Sequence, residues 1–290
     1  MTSPLLTLRQ GLQHNRHHGR ALAAAWLTAR RRLETHGLET KRARLLEIGC
    51  GRLYPYSLLF ASIGTRILGT DVVPLWRHTS SVRHYGRLLT MHGPATALRN
   101  VVADWSIRPR LYAELARGTG VRLRHDSVQL ATMDATRLAL GGGLFDGCVS
   151  VAAFEHLPDV PAAVAELSRV LLPGGLAHVE IHLFASLTGG HDPEVSSHRE
   201  PPADFQVWRH LLDPAWQAPV PLNRWRDAQF LDAFAVHFDV LERVVTSTYG
   251  ADRVTQDLCR RLPRYSAEEL GAETVVYVLR NRRTTGEARC

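Results

Sequence analysis

The chain has almost no lysine. Lys41 is the only one among 35 basic residues, so a formal net charge of +7 rests on arginine. The arginines are scattered, with short clusters at Arg30-Arg31-Arg32 and Arg282-Arg283. That leaves no continuous basic stripe of the kind that tracks a nucleic-acid backbone. Arginine beside abundant alanine and leucine reflects a GC-rich coding sequence. Cysteine is scarce too: Cys50, Cys148, Cys259 and Cys290. None forms a C-x-x-C pair, which argues against a zinc site and for reduced, packed thiols. No apolar run approaches the ~20 residues needed to cross a bilayer. Met1 to Gly11 is too short and too polar for a secretory leader. A cytoplasmic protein without a membrane partner is expected.

What is present is ordinary globular composition: 290 residues, 45% hydrophobic and 22% charged. The length fits one large α/β domain with insertions, or such a domain plus a small cap. Residues 1–40 are polar and helical. Ala21 to Leu33 is a good helix former that Gly37 ends. This segment is expected as an N-terminal helical cap ahead of a core domain at 41–290. Its His14, Arg16, His17 and His18 read as a solvated helix face.

The most informative run is Leu45-Leu46-Glu47-Ile48-Gly49-Cys50-Gly51. An apolar strand runs into an acidic residue and two closely spaced glycines. About twenty residues on, a second strand, Arg66 to Thr70, ends at Asp71. A doubly wound α/β sheet builds a nucleoside pocket in this way, at the carboxyl ends of its first two strands. Glycine lets the backbone approach a ligand where a Cβ would clash. A carboxylate at the tip of the second strand can accept both ribose hydroxyls.

Further along, a helix is expected over Tyr56 to Ile63 and strands over Val128 to Met133, Phe145 to Val151 and Leu176 to Ile181. Between the last two, Val160, Ala163, Val164, Leu167, Val170 and Leu171 repeat at helical spacing as one buried stripe, closed by Pro173-Gly174-Gly175. Alternating strands and helices predict a mostly parallel, doubly wound sheet. Two irregular regions interrupt it. A helical insertion at about 75–125 is too long for a simple crossover. A substrate-loop region at about 183–223 holds Gly189-Gly190, Phe205, Trp208 and Trp216. Its start, Phe184 to His191, is small and flexible enough to close over an acceptor. Phe238 to Val245 and Thr274 to Arg280 read as a terminal antiparallel pair.

With these motifs in order, the chain resembles the class I S-adenosylmethionine-dependent methyltransferases, in the group whose fourth strand leads into an E-H-x-P-D segment, here Glu155-His156-Leu157-Pro158-Asp159. The likeness covers roughly Arg44 to Ile181. It includes Leu46-Glu47-Ile48-Gly49-Cys50-Gly51, Gly69-Thr70-Asp71-Val72-Val73-Pro74, Met133-Asp134-Ala135 and Arg169-Val170-Leu171-Leu172-Pro173-Gly174-Gly175. It implies a Rossmann-like seven-stranded sheet and S-adenosylmethionine as cofactor, with S-adenosylhomocysteine as product. Its implied cofactor-binding residues are Glu47, Gly49, Cys50, Gly51, Asp71, Val72, Met133, Asp134, Ala135 and Val151. In that pattern Glu47 faces the cofactor's ammonium and Asp71 the ribose. Asp134 and the Ala135 backbone face the adenine. Leu53 stands where the family has its third glycine. No full G-x-G-x-x-G follows, which disfavours a dinucleotide.

On the acceptor side His156 and His191 are the candidate bases. His182 alternates with Glu180 on the fifth strand and is a further candidate to face the mouth. Tyr54, Tyr56, Trp76 and Tyr85 are candidate lining residues. No metal is expected: Ala152 stands where ubiquinone-pathway relatives carry an extra ligating glutamate, and Glu155 with His156 alone makes a poor divalent site. The function expected is methyl transfer to a hydroxyl or amine of a small molecule, a secondary metabolite or a sugar, by direct in-line displacement. The enzyme is expected as a monomer or homodimer without a nucleic-acid partner. Two alternatives stay open: an RNA methyltransferase on the same fold, and a non-catalytic S-adenosylmethionine-binding protein.

Overall fold

The structure is a computed structural model that describes residues 4–72, 89, 108–192, 194, 195 and 205–282, with no side-chain description before residue 18. Seven strands form one sheet in the order β3-β2-β1-β4-β5-β7-β6. They are β1 Arg44–Ile48, β2 Arg66–Asp71, β3 Gln129–Thr132, β4 Phe145–Val151, β5 Leu171–His182, β6 Phe238–Ser247 and β7 Thr274–Asn281. The helices include α1 Pro4–Thr35, α2 Pro55–Ser62, α3 Arg108–Thr119, α4 Val160–Val170, α5 Arg209–Leu212, α6 Asp227–His237, α7 Gln256–Arg261 and α8 Ala267–Gly271. This is the expected doubly wound, mostly parallel sheet. The chain divides into two compact units, Met1–Met133 and Asp134–Cys290.

In the first unit, β1 pairs in parallel with β2, and β2 with β3. α1 packs within this unit. Ala23, Trp26, Ala29 and Leu33 are buried along one stripe, and the Trp26 ring meets Phe60 of α2 edge-on at 5.2 Å. Gly19 and Gly118 have their α-carbons against Glu114 and Ala23, which lets α1 and α3 approach closely. The apolar stripe of α1 packs within the same unit as β1–β3. Most of the insertion expected at 75–125, with Trp76 and Tyr85, lies outside the described residues.

In the second unit, β4 pairs in parallel with β5, and β7 is antiparallel to both β5 and β6, as the terminal pair required. α4 starts at Asp159, whose side chain accepts a hydrogen bond from the Ala162 backbone, the favoured capping arrangement. Val160, Ala163, Val164, Leu167 and Val170 are buried as the stripe predicts. β5 begins earlier than expected, at Leu171. Phe145 pairs with Leu171 but Gly147 with Leu176, so Pro173-Gly174-Gly175 is a bulge within the ladder rather than its boundary. Asn281 at the end of β7 locks this corner. Its amide donates to the carbonyls of Ser168, Leu171 and Leu172, and its oxygen accepts from the Ser168 hydroxyl.

Segment 183–190 is buried throughout rather than open. A Cβ on Gly189 would collide with the Leu183 and Phe184 carbonyls, so the turn folds back on itself more tightly than any other residue allows. Trp208, fully buried, donates its indole N–H to Ala185 O at 3.0 Å. It packs in a small core with Leu187, Val195, Leu258, Leu262 and Leu270. Small side chains here serve close packing.

Candidate active site

Parallel α/β sheets bind ligands beyond the carboxyl ends of their strands. In the first unit that end is built by the turn after β1. The backbone N–H groups of Gly49 and Cys50 both donate to Thr70 O, at 2.9 and 3.0 Å. The Gly51 N–H donates to Asp71 Oδ2 at 2.8 Å. Gly51 has φ +63°, and nothing lies within 4 Å of where its Cβ would project. The loop backbone thus borders open space and is pinned from behind by the second strand. Where the family has a third glycine, Leu53 offers its carbonyl to the Tyr112 hydroxyl at 2.9 Å. The neighbouring Tyr54 is left-handed and buried.

Glu47 lies beneath this loop, buried, and accepts a hydrogen bond from the Ser57 hydroxyl of α2. Burial pushes its carboxyl up to about 7; the Ser57 hydroxyl and amide oppose that rise and the Asp71 charge adds to it. Burial likewise pushes the Cys50 thiol up, which removes it as a nucleophile. Asp71 is half-buried, and Val72 beyond it is 68% exposed. The Met133 N–H donates to Asp71 O at 2.9 Å.

In the second unit, Asp134 is exposed and its Oδ1 accepts from both the N–H and the hydroxyl of Thr136, at 2.8 Å each. Ala135 is buried and Val151 half-buried. Past Val151 the chain turns sharply: Ala152 has φ +49°. A single helical turn, Phe154–His156, follows. Asn223 clamps it, its amide donating to Phe154 O at 2.7 Å and Leu157 O at 3.1 Å. His156 Nδ1 lies 2.7 Å from Pro221 O. A carbonyl only accepts, so Nδ1 carries the proton and Nε2 the lone pair.

Folding brings His191 and His182 to this turn. The rings of His156 and His191 are 5.0 Å apart and those of His182 and His191 4.8 Å. His191 has φ +55°, a conformation uncommon for a side-chain-bearing residue and often found at functional sites. Its Nε2 is buried without a hydrogen-bond partner. His210, which sequence reasoning missed, donates from Nε2 to Phe184 O at 2.9 Å. Burial holds His182, His191 and His210 down to about 4 each, and neighbouring histidines add to this for all three. Glu155 is 3% exposed, and neither carboxylate oxygen has a hydrogen-bond partner. Burial pushes it up to about 8. The Glu155 and His182 backbone amides oppose that rise without reaching bonding geometry.

A cavity of about 330 Å³ opens elsewhere in this unit, lined by Leu183, Trp225, Arg226, Asp227, Arg243 and Glu269 among others. Four of its charged residues are paired, Arg226 with Glu269 at 2.6 Å and Arg243 with Asp227. It holds none of the expected site residues.

Residues 110–179 match a family described as "Methyltransferase domain". No curated protein matches the chain. Among solved structures, a candidate sarcosine dimethylglycine methyltransferase from Galdieria sulphuraria superposes with TM-score 0.50 at 14% identity, covering 90% of this chain and 87% of that one. An S-adenosylmethionine-dependent methyltransferase from Mesorhizobium loti superposes with TM-score 0.49 at 16% identity, covering 87% and 96%. At such identities the likeness is one of fold. Residues 110–179 carry the methyltransferase-domain match, and the fold of the chain is one shared with solved methyltransferases. The cofactor expected from the sequence is S-adenosylmethionine.

The residues around the glycine loop fit that cofactor. The glycine loop leaves room beside its backbone, and carboxylates stand at the ends of β1 and β2, beneath the loop and at its edge. Among the described residues no helix is long and apolar enough to cross a membrane.

Proposed function

We propose that this methyltransferase acts on a hydroxyl or amine of a small molecule, a secondary metabolite or a sugar, with His156 as the proton acceptor. S-adenosylmethionine, when bound, supplies an electrophilic sulfonium methyl. The acceptor atom attacks it in line, and the protein's task is alignment and proton removal. Glu47 would meet the ammonium, Gly49 and Gly51 the methionine backbone, and Asp71 the ribose hydroxyls. Asp134 keeps Oδ2 for the adenine amino group, with the Ala135 N–H facing a ring nitrogen. One observation carries the choice of base. The His156 ring is anchored through Nδ1–H to Pro221 O, which leaves Nε2 to accept a proton on a half-buried ring beyond β4. His191 and His182, held near 4, are weak bases suited to accepting hydrogen bonds.

His156→Ala is expected to lower kcat about 10²- to 10⁴-fold with little change in KM. A loss below about ten-fold removes His156 as the base. Activity should also be nearly insensitive to salt. A steep decline between 50 and 200 mM would instead point to a nucleic-acid acceptor, because phosphate binding releases counterions at roughly that cost.

Glu47 sets a pH dependence for cofactor binding. In the free protein its carboxyl holds a proton below about 7. An ammonium is met by the ionised form, so the proton must leave on binding. Affinity should therefore rise by up to about ten-fold per pH unit below 7 and level off above it. Calorimetry with S-adenosylhomocysteine from pH 6 to 8 measures this. Glu47→Gln should flatten the profile, and a flat wild-type profile would show that Glu47 faces no cation.

A further inference from the structure

Glu155, His182 and His191 meet although they are far apart in sequence. One ligand atom from each lies within 4.8 Å of the other two. The carboxylate is buried with both oxygens unpartnered, and His191 Nε2 is buried and unpartnered. A buried polar group without a partner costs roughly 1–3 kcal/mol, and a charged one more. Two such groups side by side indicate that something outside the protein completes the set.

The third member is already oriented. Thr188 gives its hydroxyl proton to Glu273 Oε1 at 2.7 Å. Its oxygen, 2.7 Å from His182 Nε2, must then accept the Nε2 proton. That leaves the lone pair of His182 on Nδ1. Glu273 is itself held by the Ser247 hydroxyl. A histidine whose outer N–H is fixed through a hydroxyl to a carboxylate has the support that ligating histidines characteristically have. The left-handed backbone at His191 adds local strain at this spot.

We propose that Glu155, His182 Nδ1 and His191 Nε2 bind one divalent first-row transition-metal ion, with Zn²⁺ as the representative. Two imidazoles and one carboxylate suit Zn²⁺, Co²⁺, Fe²⁺ or Mn²⁺. Mg²⁺ and Ca²⁺ take all-oxygen shells. Ligating imidazoles are unprotonated and a ligating carboxylate is ionised, so binding a cation would release any proton these three groups hold. Three protein ligands leave a position open to water or to an acceptor oxygen. A hydroxyl bound there would be acidified; that consequence, though not the binding itself, rests on the methyl-transfer reading above.

The test uses the full chain, stripped with a chelator and titrated with Zn²⁺ and with Co²⁺, without cofactor or acceptor. One tight equivalent per chain is expected, with the visible absorption of Co²⁺ in a nitrogen–oxygen site of low coordination. His191→Asn is the first variant, because asparagine tolerates the left-handed backbone; Glu155→Gln is the second. Each should weaken binding by at least about 100-fold, and Thr188→Val by about 10-fold through loss of the supporting hydrogen bond. A variant with His14, His17 and His18 all changed to asparagine should bind as the wild type does. Circular dichroism checks that each variant folds. Absence of a tight equivalent, or binding that survives both His191→Asn and Glu155→Gln, overturns the site. Either result leaves methyl transfer untouched, since cofactor affinity is measured separately.

Discussion

Changing Asp71 to alanine should weaken S-adenosylhomocysteine binding by about 10- to 100-fold. Asp71 ends β2, and its Oδ2 holds the Gly51 N–H at 2.8 Å. The substitution removes two things: the acceptor that keeps the glycine loop in place, and the carboxylate proposed to accept the ribose hydroxyls. A charge-assisted hydrogen bond contributes roughly 1.5–3 kcal/mol, and 1.4 kcal/mol is a factor of ten in affinity. Asp71→Asn separates the two losses. Its amide oxygen can still accept from Gly51 while the charge is gone, so an intermediate affinity is expected. Calorimetry reads both variants, and unchanged affinity in Asp71→Ala would place the cofactor elsewhere.

Trp208→Ala should cost about 3–5 kcal/mol of stability, the usual range for removing a fully buried tryptophan. The ring fills the small core formed by Leu187, Val195, Leu258, Leu262 and Leu270, and its N–H satisfies Ala185 O. Truncation opens a cavity and orphans a buried carbonyl together. The midpoint of thermal unfolding should fall by on the order of 10 °C, at roughly 2–4 °C per kcal/mol for a unit of this size. Trp208→Phe, which keeps most of the packing, should recover more than half of that. A shift under about 2 °C for the alanine variant would mean that this core does not hold the 183–212 region. Because Ala185 leads toward His191, the same variant should also lose activity below its melting point.

The parts of the molecule that were legible in advance depend on short-range pattern. β1, β2 and β4 are apolar runs bounded by glycine or acidic residues, and α4 shows an unbroken stripe from Val160 to Val170. The link from Gly51 to Asp71 follows from one strand–helix–strand repeat. α7 and α8 went unnoticed, since each spans only 5 or 6 residues and such a length carries less than two turns of periodicity. The bulge at Pro173-Gly174-Gly175 read as a strand boundary because proline and glycine punctuate both. The small residues from Phe184 to His191 read as a loop able to close over an acceptor, and in the structure Gly189 also allows a close approach to Leu183 and Phe184.

The alternation of strand and helix from β1 to β5, the glycine turn and the carboxylates at the tips of β1 and β2 are settled by the amino-acid sequence alone, because each is encoded within a few neighbouring positions. The grouping of Glu155, His182 and His191, the hydrogen-bond chain from Ser247 through Glu273 and Thr188, and the proton positions on His156 and His182 were decided only by tertiary structure. Those features join residues up to 85 positions apart in the chain. Which partner a buried polar group finds depends on strand register and desolvation, and neither is written in any local stretch of chain.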